Sequence, residues 1–278
     1  MSTRRALVAA LAVIAVAAAA CRETPERPPA RPEPLPPTAP VVPGPPPVAT
    51  PPDNAALLAL PDAVPKPEPR ARLGNPPFYE VFGQRYVVLG DSHGYLERGV
   101  ASWYGPDFHG ERTSTGEPYD MYSMTAAHRT LPLPAYARVT NLRNGRSVVV
   151  RVNDRGPFKA NRIIDLSYAA AVRLDMVRDG TTLVEVATVE AQGQLPPPPR
   201  PTELYAQAGA FAVESNATHL SERLLASGVR GVRVATEASG ARPLYRVRVG
   251  PIESVDAYDA VLAQLRELGV VGATLAPD

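Results

Sequence analysis

YARVTNLRNGRSVVVRVNDRGPF, residues 136–158, decides the fold of the central part of the chain. Ala137, Val139 and Asn141 alternate with Tyr136, Arg138 and Thr140. That period of two is expected of a strand with one buried face. Asn144-Gly145 follows, the strongest short-range hairpin signal because both residues tolerate positive φ. Val148, Val150 and Val152 then occupy one face of a second strand. Working outward, Phe78–Phe82, Tyr86–Leu89, Val100–Tyr104 and Thr182–Val189 also read as strands. Helical pattern is limited to Ser123–His128 and to Ser167–Leu174, where Ser167 is placed as an N-cap. Many short strands separated by turns predict a small barrel rather than a parallel sheet.

Proline sets the outer limits of this region. The 278 residues include 33 prolines, about 12% against a typical usage of roughly 5%. Twenty lie between Pro25 and Pro77 and five between Pro196 and Pro201. Proline lacks a backbone donor and fixes φ, so these stretches are predicted to lack helices and sheets. The expected organisation is therefore 1–21 as a signal, 22–77 as a disordered tether, 78–192 as the barrel, 193–202 as a linker and 203–278 as a second small domain. Lys plus Arg is 29 and Asp plus Glu is 28. No segment is strongly basic, which argues against a nucleic-acid partner.

Arg4 and Arg5 precede Ala6–Ala20, a run of only Ala, Val, Leu and Ile. Such a run is shorter than the ~20 residues needed to cross hydrocarbon and has the form of an export signal. It leads into Cys21, the only cysteine. Cys21 is predicted to be the lipidated N-terminus of a bacterial lipoprotein; the other reading is an incidental cysteine at an Ala-Xaa-Ala cleavage site. Ala18 stands where the usual lipobox has leucine. Arg22, not aspartate, follows the cysteine, which implies the outer membrane. A tether of about 50 residues in polyproline geometry would reach roughly 150 Å.

Polar residues gather in three places: Ser102-Trp103-Tyr104-Gly105; Thr113–Asp120 with Thr125–His128; and Asn153–Phe158 with Ile163–Ser167. Cleaving a glycosidic bond needs a carboxyl group to protonate the leaving oxygen, and aromatic faces to hold sugar rings. Trp103 and Tyr104 are the candidate platform. Glu117, Asp120, Asp154 and Asp165 are the candidate carboxylates. His93, His109, His128 and His219 match no zinc spacing, so neither metal nor cofactor is expected.

At these residues the sequence resembles the rare lipoprotein A family of septal-ring lytic transglycosylases. The resemblance is carried by GVASWYGPDFHGERTSTGEPYDMYSMTAAHRTLPLPAYARVTN, NGRSVVVRVNDRGPF and RIIDLSYAAA. It implies an all-β, six-stranded double-psi β-barrel, a fold shared with expansins. It also implies roles for Glu117 in TGEPYD, His128 in TAAH and Asp154 in NDRGP. Asp165 occupies the place of the catalytic-type aspartate of expansin-like barrels. The implied reaction uses no water: the β-1,4 bond between N-acetylmuramic acid and N-acetylglucosamine breaks as the muramic C6 hydroxyl attacks C1, leaving a 1,6-anhydro end. Asp154 is assigned as acid and base in turn, Glu117 as charge stabiliser and His128 as orienting group, with the reverse assignment of Asp154 and Glu117 open. Trp103, Tyr104, Asp120 and Asp165 are assigned to substrate binding. A non-catalytic, expansin-like wall-binding lipoprotein is the alternative.

Residues 203–278 repeat a simpler pattern. Leu204–Phe211, Val229–Ala235, Leu244–Gly250 and Val270–Leu275 read as strands. Helices capped at Ser215 or Asn216 and at Ser254 lie between them, giving a ferredoxin-like βαββαβ plan. Gln207-Ala208-Gly209-Ala210-Phe211 and Tyr245–Pro251 resemble the paired motifs of SPOR domains. That implies binding to glycan strands lacking stem peptides, at the division septum, through Gln207, Arg246 and Arg248. Division-site proteins are possible further partners. Seven basic and nine acidic residues here, and no aromatic strand motif, separate this unit from RNA-recognition domains.

Overall fold

A computed structural model describes residues 53–191, 203–239 and 242–278. Cys21, the apolar run before it and the 193–202 linker lie outside the described residues. In chain order the elements are α1 (Asn54–Leu58), β1 (Phe78–Val81), β2 (Gln84–Val87), β3 (Leu96–Trp103), β4 (Thr125–His128), β5 (Ala135–Asn141), β6 (Ser147–Asp154), β7 (Arg162–Leu166), α2 (Tyr168–Arg173) and β8 (Thr181–Thr188). There follow β9 (Leu204–Phe211), α3 (Glu214–Ala226), β10 (Val232–Ser239), β11 (Arg242–Val249), α4 (Val255–Glu267) and β12 (Thr274–Pro277).

β3, β7, β4, β6, β5 and β8 close into a six-stranded barrel in that order. β3–β7 and β4–β6 pair in parallel and the other neighbours are antiparallel. The β5–β6 hairpin is where the opening sequence puts it. Its loop is wider than a two-residue turn, because the last ladder pair is Thr140 with Ser147. Gly145 sits at φ +75°, and Asn144 anchors the loop by donating from Nδ2 to the Leu174 carbonyl at 3.0 Å. Val148, Val150 and Val152 fill the interior with Ala137, Val139, Ile164, Leu166, Val184 and Val186. α2 begins at Ser167, whose Oγ accepts the Ala170 N–H at 3.2 Å.

Two expectations are corrected. Residues 123–128 do not form a helix: Thr125–His128 is strand β4, inserted between β6 and β7. Ala126 and Ala127 have high helix propensity, but their small side chains also fit a crowded interior between two ladders, and that tertiary pairing prevails.

The second concerns residues 53–77, expected to belong to the disordered tether. They form α1 and an ordered strap along the barrel. Leu57 is 1% exposed within the barrel core, and Leu60 and Ala63 pack beside it. Two of the strap's backbone N–H groups bond the barrel: Ala63 N to Val149 O at 3.0 Å and Ala71 N to Leu133 O at 2.9 Å. Asn75 adds Nδ2 to Leu133 O at 2.7 Å and accepts Leu133 N–H at 2.8 Å. Arg173 clasps it from α2, binding Asp62 at 2.6 Å and Leu60 O at 2.8 Å. Proline forbids a central strand but not an extended strap fastened at a few points, chiefly by side chains.

Residues 203–278 form the expected βαββαβ unit, with a sheet ordered β10-β11-β9-β12. Ser254 caps α4, accepting Ala257 N–H at 3.1 Å. α3 instead starts at Glu214 after Val213, without a side-chain cap. Val100, Leu142 and Leu183 of the barrel share a buried apolar cluster with residues of this unit, including Leu262 and Leu275. Asn161 Nδ2 donates to Asp259 at 2.9 Å.

If the strap belongs to the folded core, Leu57→Ala should lower unfolding stability by about 2–4 kcal/mol, the usual cost of such a truncation. Chemical denaturation of the full chain measures it. A loss under about 0.5 kcal/mol would place Leu57 outside the cooperative core.

Candidate active site

β4 positions the site. Ala127 pairs with Asp154 on β6 and with Asp165 on β7. Adjacent strands lie about 4.8 Å apart, so the two aspartate Cα atoms are about 10 Å apart with Ala127 between them. The β4–β6 register shifts between Ala126 and Ala127, a bulge that re-aims the end of β6. Both aspartates line one cavity of about 250 Å³, with Tyr104, Tyr119, Phe108 and Phe158 among its walls. Tyr104 stacks on Tyr119 with centroids 4.0 Å apart, and Phe108 meets Tyr104 edge-on.

The two carboxyl groups differ in environment. Asp154 Oδ1 accepts Ser114 N–H at 2.7 Å, Ser114 Oγ–H at 2.6 Å and Arg155 N–H at 2.7 Å. Its Oδ2 takes no hydrogen bond among the described residues. Asp165 is held by Ser102 Oγ–H, donated to Oδ1 from the facing position on β3. Burial pushes the Asp165 carboxyl above the usual range, against the opposing effects of Ser102 and of Arg162 and Arg129.

Glu117 does not line this cavity. Arg151 and Asn153 alternate with the core valines and stand on the outer face of β6, and Glu117 joins them there. Arg151 donates two bonds to Glu117, at 2.7 and 3.1 Å, and Asn153 Nδ2 donates a third at 3.1 Å. The Arg151 bonds, joined by that of Asn153, hold the Glu117 carboxyl below the usual range against its partial burial. Glu117 also closes the turn that carries Ser114, since Thr113 N–H donates to Glu117 O at 2.8 Å.

His128 is 1% exposed. Its Nδ1 accepts the N–H groups of Thr130 and Leu131 at 3.2 and 3.1 Å, and Nε2 lies 2.9 Å from the Tyr95 hydroxyl. Burial, with Arg129 and Arg155 nearby, pushes its pKa down to about 3. The ring is thus neutral, with Nε2 carrying the proton. Its carbonyl accepts from Arg155 Nη1 at 3.1 Å, beside Leu131 O at 2.5 Å.

The remaining predicted residues separate. Trp103 lies outside the cavity lining and packs on Tyr168 with centroids 5.4 Å apart. Asp120 makes a local turn, accepting Tyr122 N–H at 3.0 Å and Ser123 Oγ–H at 2.5 Å. Gln207, Arg246 and Arg248 share a cavity of about 530 Å³ on the second unit's sheet, with Thr236 and Glu237. There Arg246 donates to Gln207 at 3.0 Å and Arg248 to Asp278 at 3.2 Å. Ser114, Ser102 and Arg151 were not singled out from sequence. Ser114 lies within the quoted TSTG run, and Arg151 stands among the β6 valines; nothing local links Ser114 to Asp154 or Arg151 to Glu117.

A family model described as lytic transglycolase matches residues 96–186, and a SPOR domain model matches residues 201–275. The endolytic peptidoglycan transglycosylase RlpA of Pseudomonas aeruginosa is 41% identical over 238 residues, covering 78% of this chain and 67% of that protein. Its namesake from Vibrio cholerae is 39% identical over 208 residues, 75% of this chain and 79% of the relative. That of Neisseria meningitidis is 42% identical over 200 residues, 71% and 82%. A closed six-stranded barrel, two aspartates over one cavity and identity of this extent across both folded units agree: the chain belongs to the RlpA family of lytic transglycosylases, with a double-psi β-barrel followed by a SPOR domain.

Proposed function

We propose that the protein cleaves the β-1,4 bond between N-acetylmuramic acid and N-acetylglucosamine within peptidoglycan strands, leaving 1,6-anhydro ends, and that Asp165 and Asp154 divide the two proton transfers. The observation that carries this is the pair of aspartates flanking Ala127 over one aromatic-walled cavity, one of them with a raised pKa. Asp165, protonated above the usual carboxyl range, gives its proton to the glycosidic oxygen as the C1–O bond breaks. Asp154, with Oδ2 free, takes the proton of the muramic C6 hydroxyl as its oxygen bonds to C1. The carboxyls exchange protonation states in one turnover, and solvent resets them. This refines the expectation of a single carboxyl serving twice. Tyr104, backed by the buried ring of Tyr119, forms the floor for a sugar ring. Glu117, ionised beside Arg151, holds the turn that presents Ser114 to Asp154, and His128 holds the neighbouring backbone.

The SPOR unit supports a preference for peptide-depleted strands. Removing a stem peptide frees the lactyl carboxylate of muramic acid, which Arg246 and Arg248 would bind in their cavity in exchange for Glu237 and Asp278, their present partners there. Enrichment at the septum and lipidation of Cys21 in the outer membrane complete the proposal.

Digestion of amidase-treated sacculi, read by mass spectrometry, tests the chemistry. Wild type should release anhydro-muramic products; Asp154→Asn and Asp165→Asn should each lose at least 100-fold in rate, the scale of acid–base catalysis. Activity should fall as pH rises through the elevated pKa of Asp165. An Asp165→Asn variant with wild-type turnover would eliminate Asp165 as the acid.

Location is tested with fluorescent fusions and fractionation. Removing 203–278 should abolish midcell enrichment, and Cys21→Ala should release the protein from the membrane fraction. Retained septal signal in the first, or retained membrane association in the second, refutes that part.

A further inference from the structure

The strap lies before the residues that the family model matches, 96–186. It nevertheless meets the site at several points. Glu68 takes one side of the Arg151 guanidinium: Nε donates to Oε1 at 3.1 Å and Nη2 to Oε2 at 3.0 Å. Glu117 takes the other side. The Tyr136 hydroxyl also donates to Glu68, at 2.5 Å. Further along, Gly74 sits at φ +78° against the turn that holds Asp154; a Cβ there would stand 2.8 Å from the Ser114 carbonyl oxygen. Gly74 O accepts from Arg155 Nε at 2.8 Å, and Asn75 Oδ1 from Arg155 Nη2 at 3.3 Å. Ser114 and Arg155 are the two residues whose N–H groups bind Asp154 Oδ1.

We infer that the strap segment 68–75 is a working part of the active site, and that Glu68 is a positioning residue that fixes Arg151 and, through Glu117 and the 113–117 turn, the carboxylate of Asp154. This rests on the transglycosylase reading of Asp154 given above. The physical basis is the fork geometry of arginine. Its planar set of N–H donors binds two carboxylates at once only if both are held in plane. With Glu68 in place, Arg151 cannot turn away from the barrel wall. Without it, the guanidinium is free to follow Glu117, which is 45% exposed, and the turn it closes loses its fixed support. Glu68 arrives from over 80 residues away in sequence, so the strap must be seated for the site to be complete.

The test compares full-length wild type with Glu68→Gln, Glu68→Asp and Asp62→Asn. Asp62 anchors the other end of the strap, through Arg173, and touches no site residue. Turnover on amidase-treated sacculi and the NMR titration of the Glu117 carboxyl carbon are both read. Glu68→Gln should lower kcat ten- to a hundredfold, the scale expected of a small misplacement, with KM within about twofold. Its Glu117 midpoint should move to lower pH, because the charge of Glu68, which opposes ionisation of Glu117, is gone and Arg151 serves Glu117 alone. Glu68→Asp, which keeps the charge, should return the midpoint toward wild type, and Asp62→Asn should leave both readouts unchanged. An unchanged kcat or an unchanged midpoint in Glu68→Gln overturns the inference. So does an equal loss in Asp62→Asn, which would reduce the strap to a general stabiliser. Wild type that forms no anhydro ends defeats the transglycosylase reading instead, and the Glu117 midpoint still decides whether Glu68 governs this cluster.

Discussion

Ala127 is the register partner of two aspartates at once, and the site depends on that constraint. A strand can have two neighbours, one parallel and one antiparallel, only inside a sheet. The closed barrel makes β4 such an interior strand, although it is four residues long. Neighbouring ladder positions point to the same face of a sheet, so Asp154 and Asp165 turn to the same side with a methyl group between them. A larger residue at 127 would fill the space a sugar must enter. The separation of the carboxyl groups is thus set by backbone hydrogen bonds rather than by flexible side chains, as a reaction needing two placed proton carriers requires.

Around this pair the barrel places polar residues that are committed to its own backbone and side chains; of the three that follow, Arg155 alone also lines the cavity. His128 takes two backbone N–H groups on one nitrogen and is closed to solvent, so it stays neutral and cannot act as an acid near pH 7. Arg155 spends its guanidinium on carbonyls of 128–131 and of Gly74, and its own N–H on Asp154. Glu117 closes the 113–117 turn from the outside. These three form a frame of charged and neutral hydrogen bonds in which Asp154 is held by one oxygen and left open at the other. Buried polar groups of this kind are costly unless every member is satisfied. The frame therefore has few alternative arrangements.

Much of the architecture could be read from the residues. The alternation of 136–141 and 147–152, the cap at Ser167 and the βαββαβ order of the second unit all follow local rules that tertiary contacts did not override. Strand β4 did not, because TAAH contains good helix formers and only its two neighbours make it a strand. The facing of Asp154 and Asp165 was equally hidden. Each sits in a recognisable motif, but the parallel β4–β6 pairing that joins them is a crossover, invisible to periodicity. Sequence resemblance pointed to Glu117 and His128 as well as Asp154, and such resemblance identifies essential positions without separating those that touch substrate from those that hold the frame. Glu68 carried no signal at all. It is a carboxylate in a proline-rich segment, where a solvated charge is the ordinary expectation, and only the fold brings it the Arg151 guanidinium and the Tyr136 hydroxyl.

The strap also changes the meaning of the prolines. Proline density was first an argument that residues before Phe78 do not fold, and for a lipid-anchored protein it set a reach of roughly 150 Å. Residues 53–77, the described part of that segment, instead lie folded against the barrel. The prolines between Pro61 and Pro77 do other work. They lower the entropy lost when the strap is laid down, since their φ is fixed before folding. A segment with few backbone donors can then be held by Leu57, Asn75 and three arginine contacts. In chain order the strap is fastened by the Tyr168 bond to Asn54, by Leu57 and by the Arg173 clasp at Asp62, all before Glu68, so the segment next to the active site is laid down from an already anchored end.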